Sequence, residues 1–457
     1  MKTASINFKE VRGIGCRLDA PVHLSEGVSA KRLMKYCPYK LLTIGDVSER
    51  VWHAGRWRRV YVNNPKNGII LLGSSAILKS DLSKEKMISI KYTEDKEDKA
   101  LKKGWTLISC SGTIGNCAFA NAQHAEKLAS QHVIRVSPNN ILREGIIYAF
   151  LASKYGYSML TQGTFGSVIQ HIEPENVEAI PIPQFPESFQ KEVDDLMQES
   201  SRLREEATDA LEESKRLIMN FTSKEYNNIS LKKSSSIKIS SLYSTLNTRF
   251  DPTIYINKGV QWLTDLQKNT VRLGDINIKM WYPGIFKRAY VNNGLPYIKG
   301  SSVFDVNPFK TCDHLSKART PKLDDLWLKE GMGLITCAGA CGLIKMITKE
   351  YEDKGAIGSP DIIRLVSNDP LYTTEYLFAY LQLPPIYDYM QSLKYGSVIE
   401  RFDIDNIKTI PVIEPTTELS QSITYIIRTY MDKTYRAFNC EEQAISMVEQ
   451  EIEKWNK

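Results

Sequence analysis

From Phe189 onward, apolar or small residues return alternately every four and every three positions: Phe189, Val193, Leu196, Ser200, Leu203, Ala207, Ala210, Ser214, Leu217 and Phe221. The positions between them are mostly Glu, Asp, Arg and Lys. This is an unbroken heptad seam, and it predicts one long helix that starts after the proline-rich "IPIPQFPE" at 180–187. A second seam runs through Leu419, Ile423, Ile426, Tyr430, Thr434, Phe438, Ile445, Val448, Ile452 and Trp455, with an extra four-residue step near 430 where a supercoil should relax. Small residues at Ser200, Ala207, Ala210 and Ser214 leave room for a close partner, and the bulkier second seam supplies one. The two helices are expected to pack on each other. Packing of each on its own globule is the alternative, and so narrow a stripe speaks against it. Phe189 to Phe221 rises roughly 48 Å at about 1.5 Å per residue, the length of roughly 14 base pairs of duplex.

Elsewhere the pattern is short. "GWTLISCSG" and "HVIRVSP" in the first half, and "MGLITCAG" and "DIIRLV" in the second, are β-branched runs bounded by Gly or Pro and read as strands. "GIIYAFLASKYGYSML" and "TTEYLFAYLQL" read as amphipathic helices. These segments are also echoes of one another. "RRVYVNN" at 58–64 returns as "KRAYVNN" at 287–293, displaced by 229. At displacements of 227 to 232, and in the same order, Arg17–Pro21 answers Arg249–Thr253, "LTIGDV" answers "VRLGDI", and "GSS" at 73–75 answers 300–302. "LKKGWTLISCSGTIG" likewise answers "LKEGMGLITCAGACG", "SQHVIRV" answers "SPDIIRL", and "FGSVIQHIEPENVEAIPIP" answers "YGSVIERFDIDNIKTIPVI". A repeat this long means two α+β domains, whereas a solenoid would need several short units. "SLKKSSSIKISS" at 230–241 reads as a polar hinge.

With 457 residues, 42% of them hydrophobic, the chain can bury two ordinary cores. No run approaches eighteen apolar residues, and "MKTASINFKEVRGIG" has no apolar signal core, so a cytoplasmic protein is expected. The cysteines show no zinc spacing. Cys110 and Cys337 are repeats of each other and are expected as small buried residues in a reducing compartment. Net charge is +6, but residues 187–221 carry ten acids and five bases, so the globular parts hold the positive excess.

Catalytic patterns are missing. "LPPIY" at 383–387 lacks the polar head of an adenine methyltransferase tetrapeptide and reads as a helix-ending proline pair. There is no phosphate-binding Gly-Lys-Ser/Thr loop, and "SGTIG" and "AGACG" lack Rossmann spacing, so both read as tight strand turns. His53, His124, His132, His171 and His314 do not repeat, and "SPD" at 359–361 has no nuclease Lys at a convincing distance and is matched by "SQH". No catalytic, metal-binding or cofactor-binding residue is assigned. What recurs is a basic and aromatic strip followed by "GSS". Arg and Lys suit phosphate and guanine, Asn suits adenine, and aromatic rings stack. The DNA-binding candidates are Arg56, Trp57, Arg58, Arg59, Tyr61, Asn63, Ser74, Ser75 and Lys79, with Lys287, Arg288, Tyr290, Asn292, Lys299, Ser301 and Ser302. A surface hairpin with basic ends is the plainer reading.

Two such globules, each with "GSVI" followed by "IPIP" or "IPV" and then a long helix, and "GTIG" in the strand turn, resemble the specificity subunit of Type I restriction-modification systems over nearly the whole chain. "AGACG" and the interrupted second seam depart from that pattern. The resemblance implies two pseudo-symmetric target recognition domains separated by an antiparallel pair of coiled-coil helices. Residues 1–184 would form the first domain, 185–228 the first spacer helix, 229–414 the linker and second domain, and 415–457 the second helix. It implies binding to an asymmetric, bipartite double-stranded DNA target and docking of two modification subunits and of restriction/translocase subunits. S-adenosylmethionine, ATP and Mg are expected in those partners and none in this chain. The specificity chain of a Type IIB enzyme, distinguished by its partners, and a duplicated adaptor that binds protein alone, distinguished by salt-insensitive behaviour towards duplex, are the competing readings.

Overall fold

The computed structural model describes residues 26–162, 171–226, 251–266, 268–396 and 400–456, with isolated positions 12, 229, 234, 236, 238 and 239 besides. Arg17–Pro21 with Arg249 and Phe250, the first Gly-Ser-Val-Ile at 166–169, positions 397–399 of the second, and most of the hinge at 230–241 lie outside the described residues. The chain forms two units, 1–205 with 436–457, and 206–435.

In the first unit the described elements run from α1 (Glu26–Leu33) through β1 (Leu41–Thr43), β2 (Ser48–Trp52), β3 (Tyr61–Val62), β4 (Gly68–Leu72) and β5 (Met87–Ser89). β6 (Thr106–Ser109), β7 (Cys117–Phe119), β8 (Leu128–Ala129) and β9 (Val133–Pro138) follow, then α2 (Glu144–Ala152), α3 (Lys154–Gln162), β10 (Pro181–Pro183) and the start of α4 (Glu187–Thr222). One sheet has the order β2-β9-β6-β7, another β3-β5-β4-β8, and β1 pairs β10. Because side chains alternate along a strand, the first sheet feeds two cores. Ile108, Ile134 and Val136 face α2, Val193 and Met197, while Leu107 and Val133 face Trp52, Leu72, Ile77 and Trp105. The helix expected over 145–160 is interrupted at Ser153, which is extended at φ −64, ψ 161. The Ser153 Oγ is bonded to the carbonyl of Phe150, a local bond that competes with helix continuation.

The second unit repeats this plan. It contains α5 (Lys258–Thr264), β11 (Thr270–Arg272), β12 (Ile278–Trp281), β13 (Tyr290–Ile298), β14 (Asp313–Leu315), β15 (Gly333–Thr336) and β16 (Ile344–Met346). β17 (Ile357–Gly358), β18 (Ile362–Ser367), α6 (Thr374–Leu381), α7 (Pro384–Leu393), β19 (Pro411–Ile413) and the start of α8 (Thr417–Glu453) complete it. Sheet order β12-β18-β15-β16 reproduces β2-β9-β6-β7, and β11 pairs β19 as β1 pairs β10. Ile335, Ile363 and Leu365 face the larger core, and Leu334 and Ile362 the smaller. Pro384 and Pro385 stand in the first turn of α7 and open a helix. They follow the end of α6, which stops at Leu381, and also start the next helix, since proline's missing N–H costs nothing where helical donors have no partner anyway.

The shared plan extends to a buried arginine in each sheet. Arg135, opposite Leu107, donates to the carbonyls of Val133 (3.1 Å), Lys99 (3.1 Å) and Ala129 (2.6 Å). Arg364, opposite Leu334, donates to those of Ser359 (2.9 Å), Ile362 (2.6 Å) and Gly358 (2.8 Å). Burial pulls both guanidinium groups down to about 10, still charged at neutral pH.

Both long helices contribute to both units. In the first unit they run antiparallel. Ser200 Oγ donates to the carbonyl of Ala437 at 2.7 Å, Arg204 meets Glu441 at 2.5 Å, and the rings of Phe185 and Trp455 lie 6.2 Å apart. In the second, Glu206 pairs with Lys433, and Ala207, Leu211 and Ile218 share a core with Ile423, Ile427 and Tyr430. The contact stripe is wider than the seam. Met197, Leu211, Ile218 and Ile427 are fully buried or nearly so, whereas Leu196, Ala210, Leu217 and Ile426 are half-buried. A straight helix drifts about 20° per heptad against a 3.5-residue repeat, and the neighbouring globule covers the face that drift exposes. Thus Asp194 accepts from the backbone N–H of Gly145 at 2.9 Å, and Arg428 pairs with Glu375 at 2.8 Å. The helices therefore pack on each other and on the globule of each unit.

Cys110 is buried after β6, with its thiol pushed up to about 12, chiefly by burial. Cys337 after β15 is half-buried, more open than expected. All described cysteines are free thiols.

Candidate nucleic-acid interface

Each strip is rooted by a tryptophan. Trp52 Nε1 donates to the carbonyl of Asp98 at 3.2 Å, and Trp281 Nε1 to that of Asp325 at 3.2 Å. From these roots the chain leaves the sheet edge over His53–Val60 and Tyr282–Ala289, with Ala54 and Pro283 tucked in and Gly55 and Gly284 in open space. The next residues, Arg56 and Ile285, are the tips. Ile285 is 94% exposed. Trp57 and Phe286 turn back onto Leu71, Ile88 and Leu128 in one unit and onto Tyr297, Leu315 and Ile357 in the other. Trp57 is flanked by the Arg59 guanidinium at 5.0 Å and Lys99 Nζ at 5.1 Å, cation–π contacts that hold its ring.

Arg58 and Lys287 point to solvent. Arg59 is bonded to the side-chain oxygen of Gln131, and Arg288 Nε donates to the Tyr297 hydroxyl at 2.8 Å. Tyr61 and Tyr290 are 54% and 56% exposed. Asn63 and Asn292 are exposed. Tyr61 starts the β3–β5 pairing as Tyr290 starts β13–β14.

The Gly-Ser-Ser segments differ from their sequence alignment by one position. Ala76 N–H and Ile77 N–H bond to the carbonyl of Gly73, while Ser302 N–H and Val303 N–H bond to that of Lys299. Backbone register therefore sets Gly73 against Lys299. Ser75 and Ser301 are exposed and Ser74 and Ser302 half-buried. Lys299 Nζ is paired with Asp313 at 2.6 Å. Lys79 is half-buried near Glu85, whose carboxyl is raised by burial against the opposing pull of that lysine.

Facing the strip are two segments read from sequence as structural. The Gly-rich turns are the same turn twice: Gly112 and Gly115 both have φ +81, and Gly339 and Gly342 have φ +72 and +85, all in the left-handed region glycine tolerates. Gly115 N–H bonds to the Ser109 carbonyl at 2.8 Å, and Gly342 N–H to that of Thr336 at 2.9 Å. The turns bridge to His171 and Arg401 respectively. Next to them lie "SQH" and "SPD". In the second unit these parts line one cleft of about 490 Å³, formed by Arg288, Tyr290, Lys299 and Ser301 with Gly339, Asp361 and their neighbours.

Equivalent positions carry opposite chemistry. In the first unit the rings of His132 and His171 lie 6.4 Å apart, and the His132 imidazole is held below its ordinary value first by burial, then by the charges of Arg59, His171, Arg56 and His53. In the second, Asp361 faces Arg401 at 3.8 Å. Of the sequence candidates, Arg288, Tyr290, Lys299 and Ser301 converge on the cleft; Lys287, Asn292 and Ser302 are not among its lining residues. Sequence reasoning passed over Ile285, Gln131, His132 and Asp361. The signal was available: these are the places where an otherwise faithful repeat changes.

Among the described residues no cluster of three or more His, Cys, Asp or Glu could hold a metal ion, and no helix is long and apolar enough to cross a membrane. No curated protein matches the chain in sequence. Similar solved structures include the Type-I restriction-modification system S subunit from M. genitalium, at 12% identity, TM-score 0.35, covering 92% of this chain and 96% of that one. The HsdS subunit from Thermoanaerobacter tengcongensis is similar at 13% identity, TM-score 0.28, covering 91% of this chain and 96% of that one. A structure on complex assembly and conformational transition of the type I R-M system is similar at 15% identity, TM-score 0.28, over 92% and 97%. The family model of the Type I restriction modification DNA specificity domain matches residues 38–213. Over residues 38–213, therefore, this chain is similar to the DNA specificity domain of Type I restriction-modification systems.

Proposed function

We propose that this chain reads an asymmetric, bipartite double-stranded DNA target, one part with each unit, and positions the catalytic subunits of a restriction-modification complex without catalysing a reaction itself. The observation that carries the reading is the twofold construction of one site with different linings. A basic, aromatic strip faces a glycine turn in both units, yet Arg56, His132 and His171 in one correspond to Ile285, Asp361 and Arg401 in the other. Sameness of scaffold with difference of contact surface is what two readers of unlike sequences require.

In this reading the boundaries 1–184, 185–228, 229–414 and 415–457 separate recognition domains from spacer helices. Arg56, Arg58, Arg59, Lys79, Lys287, Arg288 and Lys299 contribute charge, and Tyr61, Tyr290, Asn63 and Asn292 contribute stacking and base-edge contacts. Ser74, Ser75, Ser301 and Ser302 supply hydroxyl and backbone donors to phosphates. Two modification subunits bring S-adenosylmethionine, and restriction/translocase subunits bring ATP and Mg. Mapping methylated adenines in a genome that carries the chain with its partners tests this directly. The expected result is one motif of two unlike parts with a fixed gap; a single continuous motif, or none, overturns it.

A further inference from the structure

Resting on that reading, we propose that Asp361 is a specificity-determining residue whose carboxylate accepts a hydrogen bond from the exocyclic amino group of a cytosine or adenine in the part of the target read by the second unit. Asp361 is held where a base edge would enter. Its carbonyl accepts from the backbone N–H of Cys337 at 3.4 Å and from the Cys337 thiol at 3.1 Å, and its own N–H is bonded to Ser359 Oγ at 3.2 Å. Its backbone is therefore pinned at the end of the β15–β18 ladder, where Thr336 pairs with Ile362.

The side chain is 54% exposed and lines the cleft with Arg288, Tyr290 and Lys299. Its contacts leave acceptor capacity. Ser359 Oγ reaches Oδ2 at 3.4 Å, and Arg401 stands 3.8 Å from Oδ1, beyond hydrogen-bonding distance. A carboxylate in a cation-lined cleft that faces phosphates is repelled by them, and on DNA that repulsion is offset when the carboxylate meets a donor. The major-groove donors are cytosine N4 and adenine N6. Thymine and guanine present acceptors at the corresponding edge, so the same carboxylate rejects them. The equivalent residue in the first unit, His132, sits among Arg59, His171, Arg56 and His53, so the two equivalent positions are set to prefer different bases.

The test selects duplexes from a random library with the full-length chain and its Asp361→Asn and Asp361→Ala variants. The wild type is expected to return cytosine or adenine at one position of one target part, and the two bases are told apart by which is enriched. Asp361→Ala should lose that preference by roughly fivefold or more while recovering the other part unchanged, which also reports that it is folded; Asp361→Asn keeps an acceptor and gains a donor, so it should shift the preference towards adenine. Replacing the selected base by its analogue lacking the amino group should weaken the wild type and leave Asp361→Ala indifferent. An Asp361→Ala variant that keeps the preference, or that weakens every sequence equally, overturns the assignment of Asp361 alone. A wild type without any sequence preference overturns the proposed function, and this inference with it.

Discussion

Arg204 Nη2 meets Glu441 Oε2 at 2.5 Å, an ion pair with side chains only 16% and 6% exposed that ties α4 to α8 within the first unit. The hydroxyl of Tyr148 bonds to the other oxygen of the same carboxylate and Arg204 Nη1 donates to Ser200 Oγ at 2.9 Å, so a residue from α2 joins a four-member network. Burial, and after it the charge of Glu441, raises the Tyr148 phenol well above its ordinary value, so it remains a donor. Removing one partner leaves an uncompensated buried charge. Arg204→Ala is therefore expected to destabilise the first unit by about 3–5 kcal/mol, while Arg204→Met with Glu441→Leu recovers only part of the loss, because the buried Tyr148 hydroxyl then lacks its acceptor. Denaturant unfolding of the single and double variants checks both.

His124 predicts an acid limit. It is buried, with Nε2 3.1 Å from the carbonyl of Ile77 and Nδ1 3.4 Å from the backbone N–H of Asn121. Burial depresses it from 6.5 to about 4. The folded unit thus holds the neutral ring, while the unfolded chain takes up a proton near pH 6.5. Stability from this group is intact above pH 6.5 and falls by roughly 3 kcal/mol as pH drops towards 4. His124→Asn should be less stable at pH 8 but show a flatter decline between pH 6.5 and 4, read by thermal unfolding across pH.

Arg59→Ala should weaken binding of one target part and leave the other unchanged, a result read by titrating duplexes that carry each part alone. A uniform loss on every sequence, with a salt slope reduced by about 1, would mark Arg59 as a phosphate contact.

Arg135 and Arg364 should prove equivalent supports. Replacing either by Met removes the donor to three carbonyls at Arg135 and to four at Arg364 and should cost about 3 kcal/mol or more. Lysine should not rescue, since one ammonium lacks the guanidinium fork. The two share no partner, so the losses should add in the double variant. Midpoints of denaturant unfolding give the comparison.

Much of this architecture was visible in the spacing of residues. Two α+β units, two long helices and the duplicated strip follow from periodicity and echo, because heptads and strand alternation are local patterns. The wide contact stripe was not visible, since Glu441 counts as polar in a one-dimensional pattern although Arg204 and Tyr148 make its burial tolerable. Arg135 and Arg364 look like surface residues for the same reason: what neutralises their burial is backbone carbonyls, which every sequence contains and no sequence displays. The cleft escaped because its walls come from separate segments of the chain, as Arg288, Gly339 and Asp361 do.

The sharing of helices has a consequence for biogenesis. Lys154 is met by Glu449, 295 positions further on, and the larger core of the first unit is completed by Ala444, Val448 and Ile452. A ribosome that has finished the first copy of the repeat has therefore not finished the first unit. Its apolar flank stays uncovered throughout synthesis of the second copy and is sealed by residues that emerge after it, so the two copies mature together.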